Sequence, residues 1–131
     1  MTFDSLFADA RGRTSRAAFV GALATLVAAA AFYYVLVKGR TGQWCLVVLL
    51  FPAIVLHARR LHDMGRSAWW LAIPAALMLA TFAAWLRLVS LEGAVATALP
   101  VAALAVWAAF AVWGLLGRGQ AGANRFGEPA T

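Results

Sequence analysis

Arg59-Arg60-Leu61-His62-Asp63-Met64-Gly65-Arg66-Ser67 is the densest cluster of charge in this chain, and long apolar runs flank it on both sides. Trp44 to Leu56 before it and Ala68 to Leu86 after it contain no Asp, Glu, Lys or Arg. The cluster is therefore either the solvated turn of a helical hairpin or a buried polar site near a membrane surface. Length bears on the choice. The thirteen residues from Trp44 to Leu56 make about 20 Å of helix, roughly 10 Å less than a hydrocarbon core requires. The helix is expected to continue through His57, Ala58, Arg59, Arg60 and Leu61, which draws part of the cluster to headgroup depth, leaning on protein. Pro52 removes one hydrogen bond within this span and leaves the Val48 carbonyl free, so a bend is predicted there.

Composition points the same way. Of 131 residues, 64% are hydrophobic and 12% charged, against roughly half and a quarter in soluble domains. The mean hydropathy is +0.82. The formal charge of +6 does not signal a nucleic-acid binder, because the arginines stand at the ends of apolar segments and not along one polar face. Cys45 is the only cysteine, which excludes an intramolecular disulfide and suggests a packed thiol. No zinc or haem spacing occurs, and His57 and His62 at i,i+5 share no helix face suited to a metal. No cofactor is expected.

The expected fold is all-α: one integral membrane domain with four transmembrane helices and short loops. The spans fall at about 17–37, 43–63, 67–87 and 95–116, between an N-terminal segment 1–16 and a tail 117–131. Phe3, Leu6 and Phe7 at i, i+3 and i+4 suit a brief surface helix. Ser15 is the N-cap candidate for the first span. That span is rich in Gly and Ala, so neighbours can approach closely. It continues past its alanines to Val37, longer than a signal peptide needs, and reads as an uncleaved anchor. Gly65 suits a left-handed helix end and Ser67 the next N-cap, giving an antiparallel hairpin. Trp44, Trp69 and Trp70 are interfacial anchors. Pro74 is expected to bend the third span near its start, freeing the Trp70 carbonyl. Pro100 is expected in the first turn of the fourth, behind a Thr97 cap. The glycine-rich tail has no apolar period and should be irregular.

Charge sets the orientation. Arg11, Arg13, Arg16, Arg59, Arg60, Arg66, Arg118 and Arg125 fall on one side of this topology, and Lys38, Arg40 and Arg87 on the other. Both termini and the central cluster are expected in the cytoplasm.

Three blocks resemble the bacterial inner-membrane family known as domain of unknown function 805. They are Gly12-Arg13-Thr14-Ser15-Arg16-Ala17-Ala18-Phe19; Pro52 with Arg59 to Ser67, Trp69-Trp70 and Pro74; and Gly122-Ala123-Asn124-Arg125-Phe126-Gly127-Glu128-Pro129. Where Ala18 stands the family often has an acidic residue, which would complete a capping box with Ser15. His57 is not part of the pattern. The resemblance implies a four-span inner-membrane protein and no activity.

On a continuing helix Asp63 lies i+4 from Arg59 and i+3 from Arg60, so one carboxylate can face two guanidiniums. The arginines also stand at a helix C-terminus, where positive charge offsets the macrodipole. One reading is thus a structural tie for the hairpin. The other is a basic cytoplasmic cap of Arg13, Arg16, Arg59, Arg60, His62, Asp63, Arg66, Asn124 and Arg125 that docks an anionic phospholipid headgroup or a membrane protein partner. The third block is expected to fold back near Asp63, with Asn124 bonding the hairpin. An enzyme acting on lipid phosphate through His62 is a weaker alternative, because neighbours on a helix point about 100° apart and His62 cannot easily face Asp63. A small oligomeric transporter or channel is another, although no span carries an acidic residue for ion coupling. A non-enzymatic docking protein, alone or as a homo-oligomer in the bilayer, is the expected function.

Overall fold

The computed structural model describes residue 7, residues 9–37 and residues 40–129, with the side chains of the second helix described from residue 47 onward. The surface helix expected over Phe3, Leu6 and Phe7 lies outside these residues except for Phe7, as does the Cys45 side chain. The order is α1 (Arg16–Leu36), α2 (Arg40–Asp63), a 3-10 turn (Ala68–Leu71), α3 (Ala72–Trp85) and α4 (Gly93–Leu116). The described residues contain no strand; an isolated bridge pairs Asn124 with Gly127. Three segments are long and apolar enough to cross a membrane: Arg16–Leu36, Ala68–Trp85 and Gly93–Leu116.

The helix ends follow from local chemistry. Ser15 accepts from the Ala18 N–H at 3.3 Å, so the cap forms without the acidic partner missing at Ala18. α2 runs through the charged cluster without interruption and stops at Asp63. Its end is a Schellman motif: Gly65 has φ +74, the Arg66 N–H donates to the Leu61 carbonyl at 2.8 Å, and the Gly65 N–H donates to that of His62 at 3.0 Å. Ser67 then caps the 3-10 turn by accepting from Trp69 N–H. The tightness of this turn reverses the chain between α2 and α3.

Pro74 sits near the start of its helix, as expected, whereas Pro100 does not sit in a first turn. Pro74 is the third residue of α3, behind the 3-10 turn, so the chain absorbs its missing N–H at an element boundary. α4 starts at Gly93, with Glu92 in the cap position making no side-chain bond. Thr97 therefore lies inside the helix and does not cap it. Pro100 is interior, where its missing N–H leaves the Ala96 carbonyl without its helical donor.

Burial is inverted relative to a soluble bundle. Val20, Phe32, Tyr34, Leu79 and Leu104 face outward, while Ala22, Ala103 and Gly114 are buried between helices. In lipid the hydrophobic effect does not draw helices together, so close packing of small residues and internal polar bonds must. One cluster joins Phe7, Phe19, Ala22 and Leu56; another joins Ala58, Leu61 and Leu71, with Phe110 and Trp113 packed on it. Both lie toward the end of the bundle where α2 stops and α1 begins, and they frame the polar cluster.

Candidate site: an arginine clasp at one end of the bundle

Asp63 is the centre of the cluster. Arg13 Nε donates to its Oδ1 at 3.0 Å and Arg60 Nη1 to its Oδ2 at 2.6 Å. Only 6% of Asp63 is exposed, 4% of Arg13 and 2% of Arg60. The carboxylate thus faces two guanidiniums, but they are not the pair read from helical spacing. Arg59 turns away, because its side chain leaves α2 about 100° from that of Arg60. Its Nε donates to Thr14 Oγ1 at 3.0 Å and its two terminal nitrogens to the carbonyls of Asp9, Arg11 and Arg13. The Thr14 N–H in turn donates to the Arg59 carbonyl at 3.1 Å.

The remaining donors are spent on backbone carbonyls. Arg60 reaches Gly114 and Gly117, each at 2.7 Å, and Thr14 at 3.3 Å. Arg13 reaches Gly122 at 2.7 Å as well as Gly127, Gln120 and Asp63. Arg16 donates to Leu116 and Gly117. Carbonyls at the end of α4 lack helical donors, and guanidiniums satisfy them while offsetting the negative end of its macrodipole. Asp63 sits unfavourably at the C-terminus of its own helix, and its two ion pairs outweigh that.

The tail closes over the cluster. The Gln120 N–H donates to the Asp63 carbonyl at 2.7 Å. Asn124 Nδ2 donates to the His62 carbonyl at 3.0 Å and to Gln120 Oε1 at 2.7 Å, and its Oδ1 accepts from the Phe126 N–H. The Phe126 ring stacks on His62 with centroids 3.9 Å apart, and the Arg125 guanidinium lies 4.7 Å from the Phe126 centroid. The other contact of His62 is Nδ1 to the Gly12 carbonyl at 3.0 Å.

Of the nine residues singled out from sequence, eight come together here: Arg13, Arg16, Arg59, Arg60, His62, Asp63, Asn124 and Arg125. Arg66 is exposed and makes no side-chain hydrogen bond among the described residues. Sequence reasoning missed Thr14, Gln120 and Phe126, and it missed the carbonyls of Gly114, Gly117, Gly122 and Gly127. Backbone acceptors carry no residue-type signature. The glycines themselves were the available signal: a Cβ at Gly114 would meet Phe19 Cζ at 2.7 Å, and one at Gly119 would strike the Asp63 carboxylate.

At the rim the Asp9 carboxylate accepts from the Arg11 backbone N–H at 2.9 Å and from its Nε at 3.1 Å. Those bonds, the backbone one foremost, hold the carboxyl below its ordinary range.

An all-helical bundle with three membrane-compatible helices, tied at one end by buried arginines, is the class that fold and site define. The particular family follows from the sequence: over residues 7–128 the chain matches the family described as Protein of unknown function (DUF805), and it belongs to that family. Comparison with curated proteins and with solved structures gave no match.

Proposed function

We propose that the protein is a non-enzymatic, four-span protein of the bacterial inner membrane, with both termini in the cytoplasm, whose basic cap docks anionic phospholipid headgroups. One observation carries this reading. The buried guanidiniums of Arg13, Arg59 and Arg60 are spent inside the chain, while Arg11, Arg16, Arg66, Arg118 and Arg125 are exposed around the same end. Trp69 and Trp70, 84% and 50% exposed, stand beside this ring, as aromatic residues do at a membrane–water boundary. Each basic residue near an anionic surface contributes about 1 kcal/mol, so the ring gives a selective if unshaped attraction. Headgroup contact thus belongs to the exposed ring, and the clasp beneath it holds the ring in place. The non-enzymatic reading draws on His62, whose ring is stacked on Phe126, and on Asp63, whose two oxygens face arginines and not the imidazole.

The test uses full-length protein extracted from bilayers of equimolar phosphatidylglycerol and phosphatidylcholine, with retained lipid quantified. Phosphatidylglycerol should be enriched on the native chain, and R66Q/R118Q/R125Q, which removes about 3 kcal/mol of attraction, should abolish most of that enrichment. Equal retention of both lipids by the native chain would overturn the proposal. Co-purification of a protein sensitive to the same three substitutions, without lipid enrichment, would point to a membrane protein partner instead.

A further inference from the structure

A cavity of about 400 Å³ runs between the helices, separate from the arginine clasp. Its walls are almost wholly apolar, and its volume is within the roughly 300–1,000 Å³ usual for ligand sites. His57 forms part of the wall at the end nearer the clasp, and Trp85 and Pro100 at the far end. Val27 and Leu104, both largely exposed, stand at the rim. From Ala111 to Pro100 along α4 the cavity extends about 16 Å.

His57 is 4% exposed. Its Nδ1 lies 2.8 Å from the Ala53 carbonyl. A carbonyl only accepts, so Nδ1 carries the proton, and an uncharged ring then presents a lone pair at Nε2. Among the described residues that nitrogen is the one buried side-chain polar atom with no partner. Of the other polar groups in the wall, Thr81 Oγ1 donates to the Leu77 carbonyl and Trp107 Nε1 to that of Pro74, while Trp85, at the far end, is partly exposed. A water needs two to four polar partners, and at the end nearer the clasp the wall holds one unspent acceptor, His57 Nε2, covered by the Phe19 and Trp107 rings. What matches it is an elongated apolar molecule with one donor at one end.

We propose that this cavity binds a single-chain lipid alcohol, with the hydroxyl donating to His57 Nε2 and the hydrocarbon chain lying toward Trp85 and Pro100. The ring is wedged edge-on between Phe19 and Trp107, with centroids 5.2 Å from each. The hydroxyl therefore reaches Nε2 as one of those rings gives way. The site is independent of headgroup docking at the cap, so either can fail alone.

The probes are oleyl alcohol and oleyl methyl ether, which has the same chain but no donor. Each is titrated into the native full-length protein in nanodiscs while the ¹⁵N resonance of His57 Nε2 is followed. The alcohol should shift that resonance and bind about fivefold more tightly than the ether, the worth of one neutral hydrogen bond. H57F should bind both probes equally, and A53L, which fills the cavity one turn from His57, should weaken both. Equal affinity of the native protein for the two probes, no shift at Nε2, or unaltered binding to A53L would each overturn the proposal. Should H57F fail to accumulate, the alcohol-to-ether ratio and the Nε2 resonance of the native chain decide by themselves.

Discussion

Arg13 and Asp63, fifty residues apart in the chain, meet at 3.0 Å in a site from which solvent is almost excluded. The loop before α1 is thereby fastened to the end of α2, and because Arg60 holds the other carboxylate oxygen, one acidic side chain serves both. Buried ion pairs are seldom a net gain over apolar packing, but removing one partner alone is costly.

Asp63→Asn should therefore be far worse than its small change in shape suggests. It leaves Arg13 and Arg60 buried without a counter-ion, and a loss of about 3–5 kcal/mol is expected. Urea or SDS denaturation of the purified protein checks this. A loss under 1 kcal/mol would mean that the carbonyls alone suffice to hold the two guanidiniums.

Arg59→Ala and Arg60→Ala should fail in different places. Arg59 holds the loop 9–14, so its loss should open that loop to protease while α4 stays protected. Arg60 holds Gly114 and Gly117, so its loss should expose the end of α4. Hydrogen exchange resolved by segment distinguishes the two, and identical patterns would contradict the division of labour described above.

Gly114→Ala tests packing against propensity. Alanine favours a helix by about 1 kcal/mol over glycine, yet the added methyl would press on Phe19 at 2.7 Å and on Arg60 Cγ at 3.3 Å. Overpacking costs about 1–3 kcal/mol, so a net loss of stability is expected. A higher melting temperature for the variant would show that the helices yield there.

Asn124→Ala removes the side chain that bonds His62, Gln120 and Phe126. Residues 119–127 should exchange their amides faster, with a global loss of only about 1–2 kcal/mol, since the two ion pairs survive. An unchanged exchange rate would mean that Phe126 stacking holds the tail without it.

The Asp9 turn should respond to acid. A carboxyl whose folded pKa lies below its unfolded value contributes above the unfolded pKa and loses that contribution as pH falls through the folded one. The Arg11 amide resonance should therefore titrate with a midpoint below the ordinary aspartate value of 3.8. A midpoint at or above it would rule out the turn in solution.

The helices were legible because apolar run length and the Gly65-Arg66-Ser67 ending are local signals. The continuation of α2 to Asp63 was legible too, since the apolar part of that segment is too short to cross a bilayer. Pro100 was misplaced because a Thr three residues earlier imitates a cap, whereas the helix starts at Gly93 behind Glu92. Arg60 meets Asp63 as its spacing implies, but the partner of Arg59 was misassigned, and so were the further acceptors of Arg60, for a related reason. Helical spacing says which side chains can meet along one helix, but Thr14 and the carbonyls of Gly114 and Gly117 compete from other segments. His57 was set aside because it lies outside the family pattern, and a cavity between four helices leaves no trace in any one of them.

The clasp also bears on the order of assembly. Arg13 and Arg60 draw their acceptors from residues 114–127, which leave the ribosome after α1, α2 and α3 have been made. Until then two buried guanidiniums have only Asp63 and local carbonyls to satisfy them, so the early helices are expected to wait loosely joined. A chain ending at residue 116 should exchange the amides at the end of α2, around His62 and Asp63, faster than one extended past Gly127; equal exchange in the two would show that the helices lock without the tail.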